Sequence, residues 1–261
     1  MRGGDGCVCE VEHRYGTQIH ILDDAYMRTL LAELCERATV QPRLNWLLKS
    51  LYYGLLRAVL NNEFPRRRRS VVTRMDVEYA DELLDNSAEV VSVDIARAGI
   101  FPSQVCFELL ATVLDPRRVR QDHIIMNRVV NAAGEVTGAA IAGTKVGGPV
   151  GGRILLFPDP MGATGSSLCE VMKFYREHAT GTPSREISLN LIVTPEFLRR
   201  MKAEAPDTVV YAFRVDRGLS PADVLAKMPG EDWGRERGLT DHHYIIPGAG
   251  GLGEVLNNAL T

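Results

Sequence analysis

The stretch Ile154–His178 constrains this chain most. It opens with Ile154-Leu155-Leu156-Phe157, an apolar run of the length of a strand buried on both faces. Ten small or turn-forming residues follow, Pro158-Asp159-Pro160-Met161-Gly162-Ala163-Thr164-Gly165-Ser166-Ser167. Leu168, Val171, Met172 and Tyr175 then recur at helical spacing. The order strand, glycine-rich loop, helix places free N–H groups and the positive end of a helix dipole beside a flexible turn, a combination suited to phosphate. Ser167 and Glu170 have the spacing of a capping box, which predicts the helix start. It is not a Walker loop, because no lysine precedes the Ser/Thr pair.

The rhythm around this unit is α/β. Glu89–Ile95, His123–Val130, Glu186–Val193 and Thr208–Val215 are predicted strands. Helices open at Pro102 and at Thr194-Pro195-Glu196, the latter by a cap and a first-turn proline. The expectation is a mainly parallel sheet flanked by helices, with the loops after Ile95, Phe157, Val215 and Ile246 on one rim. Ahead of it, residues 1–16 look like a loose tail. Asp23 or Asp24 can cap a helix carrying Met27, Leu30, Leu31 and Leu34, and a second helix bears Leu44, Leu47, Leu48, Leu51, Tyr52, Leu55, Leu56 and Val59. The chain therefore divides into a helical arm, 1–87, packed on the core or on a partner subunit, and an α/β domain, 88–261. Gly143–Gly152, with five glycines and one proline, is expected to be a mobile hood or lid loop. Arg66–Arg69 reads as a solvated loop or subunit contact, since no aromatic residues interleave the arginines.

A formal net charge of −3 gives no global attraction to nucleic acid or anionic membrane. No apolar run is long enough to span a bilayer. Met1-Arg2-Gly3-Gly4-Asp5-Gly6 lacks the apolar core of a signal peptide, and five cysteines without a framework spacing suggest reduced thiols, so a cytoplasmic protein is expected. Cys7-Val8-Cys9 has no evident partners for a metal.

The string Asp159–Ser167 resembles the phosphoribosyl pyrophosphate (PRPP) loop of the uracil phosphoribosyltransferase family. There, Asp-Pro-Met, one variable residue, Ala-Thr-Gly, a small residue and Ser follow a strand. Arg97-Ala98-Gly99 resembles the family's Arg-Ala-Gly loop on the pyrophosphate side, and Arg128 the arginine placed on PRPP, although Met126-Asn127-Arg128-Val129 departs from the usual Tyr-Arg-Asp/Asn. Tyr244-Ile245-Ile246-Pro247-Gly248-Ala249-Gly250 resembles the uracil loop. Gly248–Gly253 also fits G-x-G-x-x-G, but only eight residues follow it, too few for the rest of a dinucleotide-binding unit. The likeness covers roughly residues 90–261. It departs at Gly251, where the family has an aspartate that helps hold PRPP with its metal, and in Leu219–Arg237, which looks like an insertion.

The resemblance implies a type I phosphoribosyltransferase fold with a smaller base-binding hood, and conversion of uracil and PRPP to UMP and pyrophosphate. In that reading Asp159, Arg97 and Arg128 are catalytic. PRPP is bound by these three with Pro160, Met161, Gly162, Ala163, Thr164, Gly165, Ser166, Ser167 and Gly251. Uracil is bound by Tyr244, Ile245, Gly250, Gly251 and Leu252. Mg²⁺ is carried through the substrate rather than by direct protein ligands, and a homodimer or higher homo-oligomer is implied. No residue presents itself as a general base, His242 and His243 included. A non-catalytic PRPP or nucleotide sensor, and a phosphoribosyltransferase for another base, are the alternatives. On this reading Gly251→Asp is expected to raise PRPP use.

Overall fold

The computed structural model describes residues 9–130 and 136–259, the side chains of 128–130 and 136–139 excepted. In chain order the elements are strand β1 (Ile19–Ile21), helices α1 (Ala25–Cys35) and α2 (Arg43–Glu63), the hairpin β2 (Arg66–Val72) and β3 (Glu78–Leu84), and β4 (Val90–Ala96). Next come α3 (Ile100–Val113), the long pair β5 (Val119–Val130) and β6 (Val136–Lys145), β7 (Ile154–Pro158), β8 (Met161–Gly162) and α4 (Ser166–His178). The C-terminal part holds β9 (Arg185–Leu189), β10 (Ile192–Val193), α5 (Pro195–Glu204), β11 (Val209–Ala212), β12 (Arg214–Val215), and the short helices α6 (Ala222–Leu225) and α7 (Leu252–Leu256).

A seven-stranded sheet in the order β1-β11-β9-β7-β4-β5-β6 forms the centre, parallel throughout except for the antiparallel pair β5–β6. The runs at β4 and β7 are buried on both faces, as a parallel sheet covered on both sides requires. One core, under α1, α2 and α3, includes Leu47, Leu51, Leu55, Val105 and Leu110. The other, under α4 and α5, includes Leu155, Phe157, Met172, Tyr175 and Phe197. Asp24 caps α1 by accepting from Met27 N–H at 3.0 Å, and Thr194 caps α5 by accepting from Phe197 N–H at 3.0 Å, as their sequence predicts.

Residues before 88 contribute more than helices. β1 pairs in parallel with β11 and forms an edge of the central sheet. The tail expected to be loose is tied down from Cys9 onward. Glu10 bridges Leu22, Val11 N–H donates to Ile21 O, and Tyr15 is buried with its hydroxyl on Glu236. Cys7 lies outside the described residues. The arginine run is not a loop but strand β2, paired with β3 from Arg66↔Leu84 to Val72↔Glu78 in a largely exposed hairpin. Its charge density masks the strand pattern.

Two predicted strands are broken. Glu186–Val193 becomes β9 and β10, and Thr208–Val215 becomes β11 and β12. The small strands β12, β10 and β8 form a second parallel sheet. Its register continues that of the large one: Leu189 pairs with Pro158 and with Tyr211, and Ile192 pairs with Met161 and with Arg214. Three neighbouring strands thus bend together at their carboxyl ends without slipping. Hydrogen bonds cross the bend from Asp159 N–H to Leu189 O at 3.0 Å, Asn190 N–H to Tyr211 O at 2.9 Å, and Leu191 N–H to Pro160 O at 3.0 Å.

The glycine-rich segment 143–152 also differs from expectation. β6 runs through Gly143 to Lys145. Beyond it, Asp122 Oδ1 accepts from Gly147 N–H at 2.9 Å, and Arg120 donates to Gly148 O and Pro149 O. Arg120 and the fully buried Asp122 form an ion pair at 2.9 Å, and Tyr175 OH donates to the same carboxylate. A buried pair that spends its remaining hydrogen bonds on the segment backbone pins it in place.

Candidate functional site

The bend carries Asp159–Ser167 to the carboxyl edge of the sheet. Asp159 opens the loop, and its carboxylate accepts from Met161 N–H at 3.2 Å. Burial pushes its pKa up to about 6, against the downward pull of that hydrogen bond. Two side chains hold the loop's own carbonyls, one that the sequence reading did not single out and one it assigned only to a helix cap. Asn190 Nδ2 donates to Asp159 O and Thr194 Oγ1 donates to Ala163 O, both at 2.6 Å. Gly162 has no room for a side chain, since a Cβ there would meet Val193 at 2.9 Å and Phe197 at 3.1 Å.

The helix after the loop starts at Ser166, and its cap is Gly165 in the left-handed conformation, φ 76°, with no side-chain hydrogen bond. The predicted Ser167–Glu170 box is therefore not the cap. Ser166 N–H and its hydroxyl instead engage the Thr164 hydroxyl, at 3.3 and 2.9 Å. Gly165 itself offers no side chain to the helix and Thr164 takes only the Ser166 N–H, so the following amides of the first turn can meet an outside anion.

Arg97 follows β4, the neighbour of β7. The turn is tight: Gly99 N–H donates to Ile95 O at 3.0 Å and Ile100 N–H to Arg97 O at 3.2 Å. A Cβ on Gly99 would lie 2.8 Å from Ile95 O and 3.0 Å from Pro158 O. Glycine thus lets the Arg97 turn press against the start of the anion loop. The Arg97 side chain is 56% exposed. Arg97 also lines a cavity of about 320 Å³, together with Asp94, Phe101, His123 and Leu256 among others. Asp94 is buried with His123 Nδ1 2.9 Å from its Oδ2, and burial pushes its carboxyl pKa upward.

The segment after Tyr244 folds over the edge from the other side. Ile246 N–H donates to Gly238 O at 2.8 Å, and Gly218 N–H to Ile246 O at 3.0 Å. At Gly248, φ is 62° and a Cβ would sit 2.2 Å from Ile245 O, so only glycine turns the chain here. Asp216 Oδ2 accepts from Gly248 N–H at 2.7 Å while Arg214 donates to Gly248 O at 3.3 Å. Arg214 and Asp216, paired at 2.6 Å from the end of β12, hold one residue of the loop, Gly248, by both its backbone groups. Ile245 and Leu252 are buried, and Tyr244 is 49% exposed. Gly253 lies against Ala98, with 3.4 Å from its ideal Cβ position to the Ala98 Cβ.

The structure therefore gathers Arg97, Asp159–Ser167 and Gly250–Leu252 on one edge through the contacts Gly99–Pro158 and Gly253–Ala98. Arg128 lies on β5, with its backbone opposite Ala139; its side chain lies outside the described residues. Arg214, Asp216 and Asn190 are positions that sequence reasoning missed, as is the bond by which the helix-capping Thr194 also holds Ala163 O. Their roles depend on partners more than thirty residues away, which no local pattern encodes.

Comparison with known proteins bears on this edge. The uracil phosphoribosyltransferase of Thermococcus sibiricus is 32% identical over 100 residues, 38% of this chain and 34% of that protein. That of a Thermoanaerobacter species is 29% identical over 113 residues, 43% of this chain and 42% of that protein. The chain thus spans about a third to two fifths of the length of these curated relatives. The structure of the AQ2163 protein from Aquifex aeolicus superposes with a TM-score of 0.69 at 21% identity, over 91% of this chain and 97% of that one. At that identity the likeness is one of fold. A family profile described as uracil phosphoribosyltransferase matches residues 21–231. Because that match runs over most of the chain, from the edge strand β1 through the anion loop, the chain belongs to the uracil phosphoribosyltransferase family.

Proposed function

We propose that the chain is a phosphoribosyltransferase that joins uracil to PRPP, giving UMP and pyrophosphate. The observation carrying this reading is the packing of three loops on one sheet edge: the uncapped anion loop, the Arg97 turn held against it at Gly99, and the clamped loop beyond Gly248.

The chemistry is displacement at the anomeric carbon of the ribose, with oxocarbenium character. Protein catalysis is then mostly positioning and charge stabilisation. Amides of 163–167 hold the 5′-phosphate. Asp159, ionised, accepts from the ribose hydroxyls, and Arg97 and Arg128 take charge on the departing pyrophosphate. The backbone at Ile245 and Gly250–Leu252, with Tyr244 beside it, reads the edge of the base; a wrong base leaves polar groups unpaired there.

Among the described residues no group of three or more His, Cys, Asp or Glu is arranged to hold a metal ion. Mg²⁺ in phosphate sites is held largely by substrate oxygens and water, and it is expected here on the pyrophosphate rather than in a protein cage. Bound in this way, the ion would neutralise charge on the leaving group.

The test is a PRPP-dependent assay of pyrophosphate release against a panel of pyrimidine and purine bases. Turnover with uracil above all others supports the reading. Turnover with another base reassigns the substrate, and binding of PRPP without turnover on any base makes the chain a sensor.

A further inference from the structure

The long segment 219–237 leaves the sheet edge and returns to it with its ends joined. Leu219 N–H donates to Arg237 O at 3.1 Å, and Ser220 Oγ accepts from Arg237 N–H at 2.8 Å. Glu236, fully buried, closes the loop from inside. Its carboxylate accepts from Arg217 Nη1 at 2.7 Å, from Gly230 N–H at 2.8 Å and from Tyr15 OH at 2.6 Å. Three donors satisfy this one buried carboxylate, so its charge holds the loop shut. The residues flanking the joined ends grip the base loop. Gly238 O accepts from Ile246 N–H at 2.8 Å, and Gly218 N–H donates to Ile246 O at 3.0 Å. Long loops with no extended structure of their own are uncommon in compact domains unless they serve a function.

The same loop is fastened to the start of α5. Trp233 Nε1 donates to Pro195 O at 3.1 Å, and Glu196 accepts from Gly238 N–H with both oxygens at 3.1 Å. The residue before these two, Thr194, holds Ala163 O of the anion loop at 2.6 Å. Three consecutive residues thus tie down the anion loop on one side and, through Gly238, Ile246 on the other. The junction has no slack, since a Cβ on Gly238 would lie 2.1 Å from the backbone oxygen of Asp216. We infer that 219–237 is a strap that sets the base loop at a fixed distance from the anion loop, with Glu196 and Glu236 as its positioning residues. This rests on the proposed reaction. Displacement at the anomeric carbon needs the base in line with a ribose whose phosphate is held by another loop, and a small misplacement between the two costs much rate. Both glutamates act through the backbone of Ile246, Glu196 by way of Gly238 and Glu236 by way of Arg217 and the joined ends.

Steady-state kinetics with uracil and PRPP varied in turn, together with amide exchange at Ile246, test this. Glu196→Ala should raise KM for uracil about tenfold or more and speed exchange at Ile246 by about as much, while KM for PRPP stays within about twofold. Glu196→Gln keeps an acceptor for Gly238 N–H and should regain most of that loss. Glu236→Gln keeps its size but gives up the charge facing Arg217. It should show the same split between substrates, and it serves if Glu196→Ala does not fold. An unchanged KM for uracil in either variant, no recovery in Glu196→Gln, or losses shared by both substrates overturns the inference and leaves the proposed reaction standing. If wild type turns over no base with PRPP, the proposed reaction falls and exchange at Ile246 alone decides the strap. Faster exchange in Glu196→Ala then supports it, and unchanged exchange overturns it.

Discussion

Asp159→Asn should make the protein more stable and less active, and the stability gain should depend on pH. Burial lifts the Asp159 pKa from 3.8 to about 6. Two pKa units are worth about 3 kcal/mol, at 1.36 kcal/mol each. Because the folded value is the higher one, the unfolded chain loses this proton first as pH rises. Stability is lost between about pH 4 and pH 6, and the full cost of about 3 kcal/mol is carried at pH 8. At pH 5, between the two pKa values, the cost is about 1.6 kcal/mol by the same linkage. Asparagine keeps an oxygen for the Met161 N–H and ionises in neither state. Relative to wild type, the variant should therefore gain about 1.4 kcal/mol more at pH 8 than at pH 5, read from urea unfolding at both pH values. Turnover should fall about 10- to 100-fold through loss of charge-assisted hydrogen bonds to substrate, and wild-type kcat/KM should show an acid limb near pH 6. An equal stability difference at the two pH values would refute the claim that burial holds this carboxyl back from ionising.

Arg97→Ala should weaken PRPP binding by about 1.5–3 kcal/mol, the worth of a charged hydrogen bond; calorimetry reads this, and unchanged affinity would return Arg97 to an ordinary exposed arginine. Asp216→Ala removes half of the clamp on Gly248 and should raise KM for the base about tenfold or more while PRPP affinity stays within twofold. Equal losses for both substrates would mean that the clamp supports the whole edge. Arg120→Ala leaves Asp122 fully buried with its charge unpaired and should destabilise the fold by about 3–5 kcal/mol. It should also loosen residues 147–149, visible as faster amide exchange at Gly147.

The anion loop was legible because everything that shapes it is local. An apolar run, a string of small residues and a 3.6-residue periodicity follow one another within Ile154–Tyr175, and the structure keeps that order. The loop's supports were not legible. Asn190 sits inside the apolar run Leu189–Val193, where period and composition predict an uninterrupted strand, yet its amide turns to Asp159 O. The helix cap was misplaced because Ser167 and Glu170 imitate a box, while the operative feature is the left-handed conformation of Gly165. β1 has only three residues, too few for a periodic signal. Four arginines in β2 outweigh its β-branched residues in any composition-based reading.

The common bend of β7, β9 and β11 limits how this sequence can change in length. Each strand crosses from the large sheet to the small one in the same number of residues, from Pro158 to Met161, Leu189 to Ile192 and Tyr211 to Arg214. Side chains alternate faces along a strand, so deleting one residue from a single crossing would turn its small-sheet portion over. Val193, packed in the core, would exchange sides with Ile192, packed in the opposite one. An insertion or deletion is then tolerated only if all three crossings change together, an event far rarer than any substitution. Variation in length belongs instead to exposed turns outside the bend, such as the tip of the β2–β3 hairpin. Libraries built on this scaffold must hold Asp159-Pro160, Asn190-Leu191 and Ala212-Phe213 at fixed spacing.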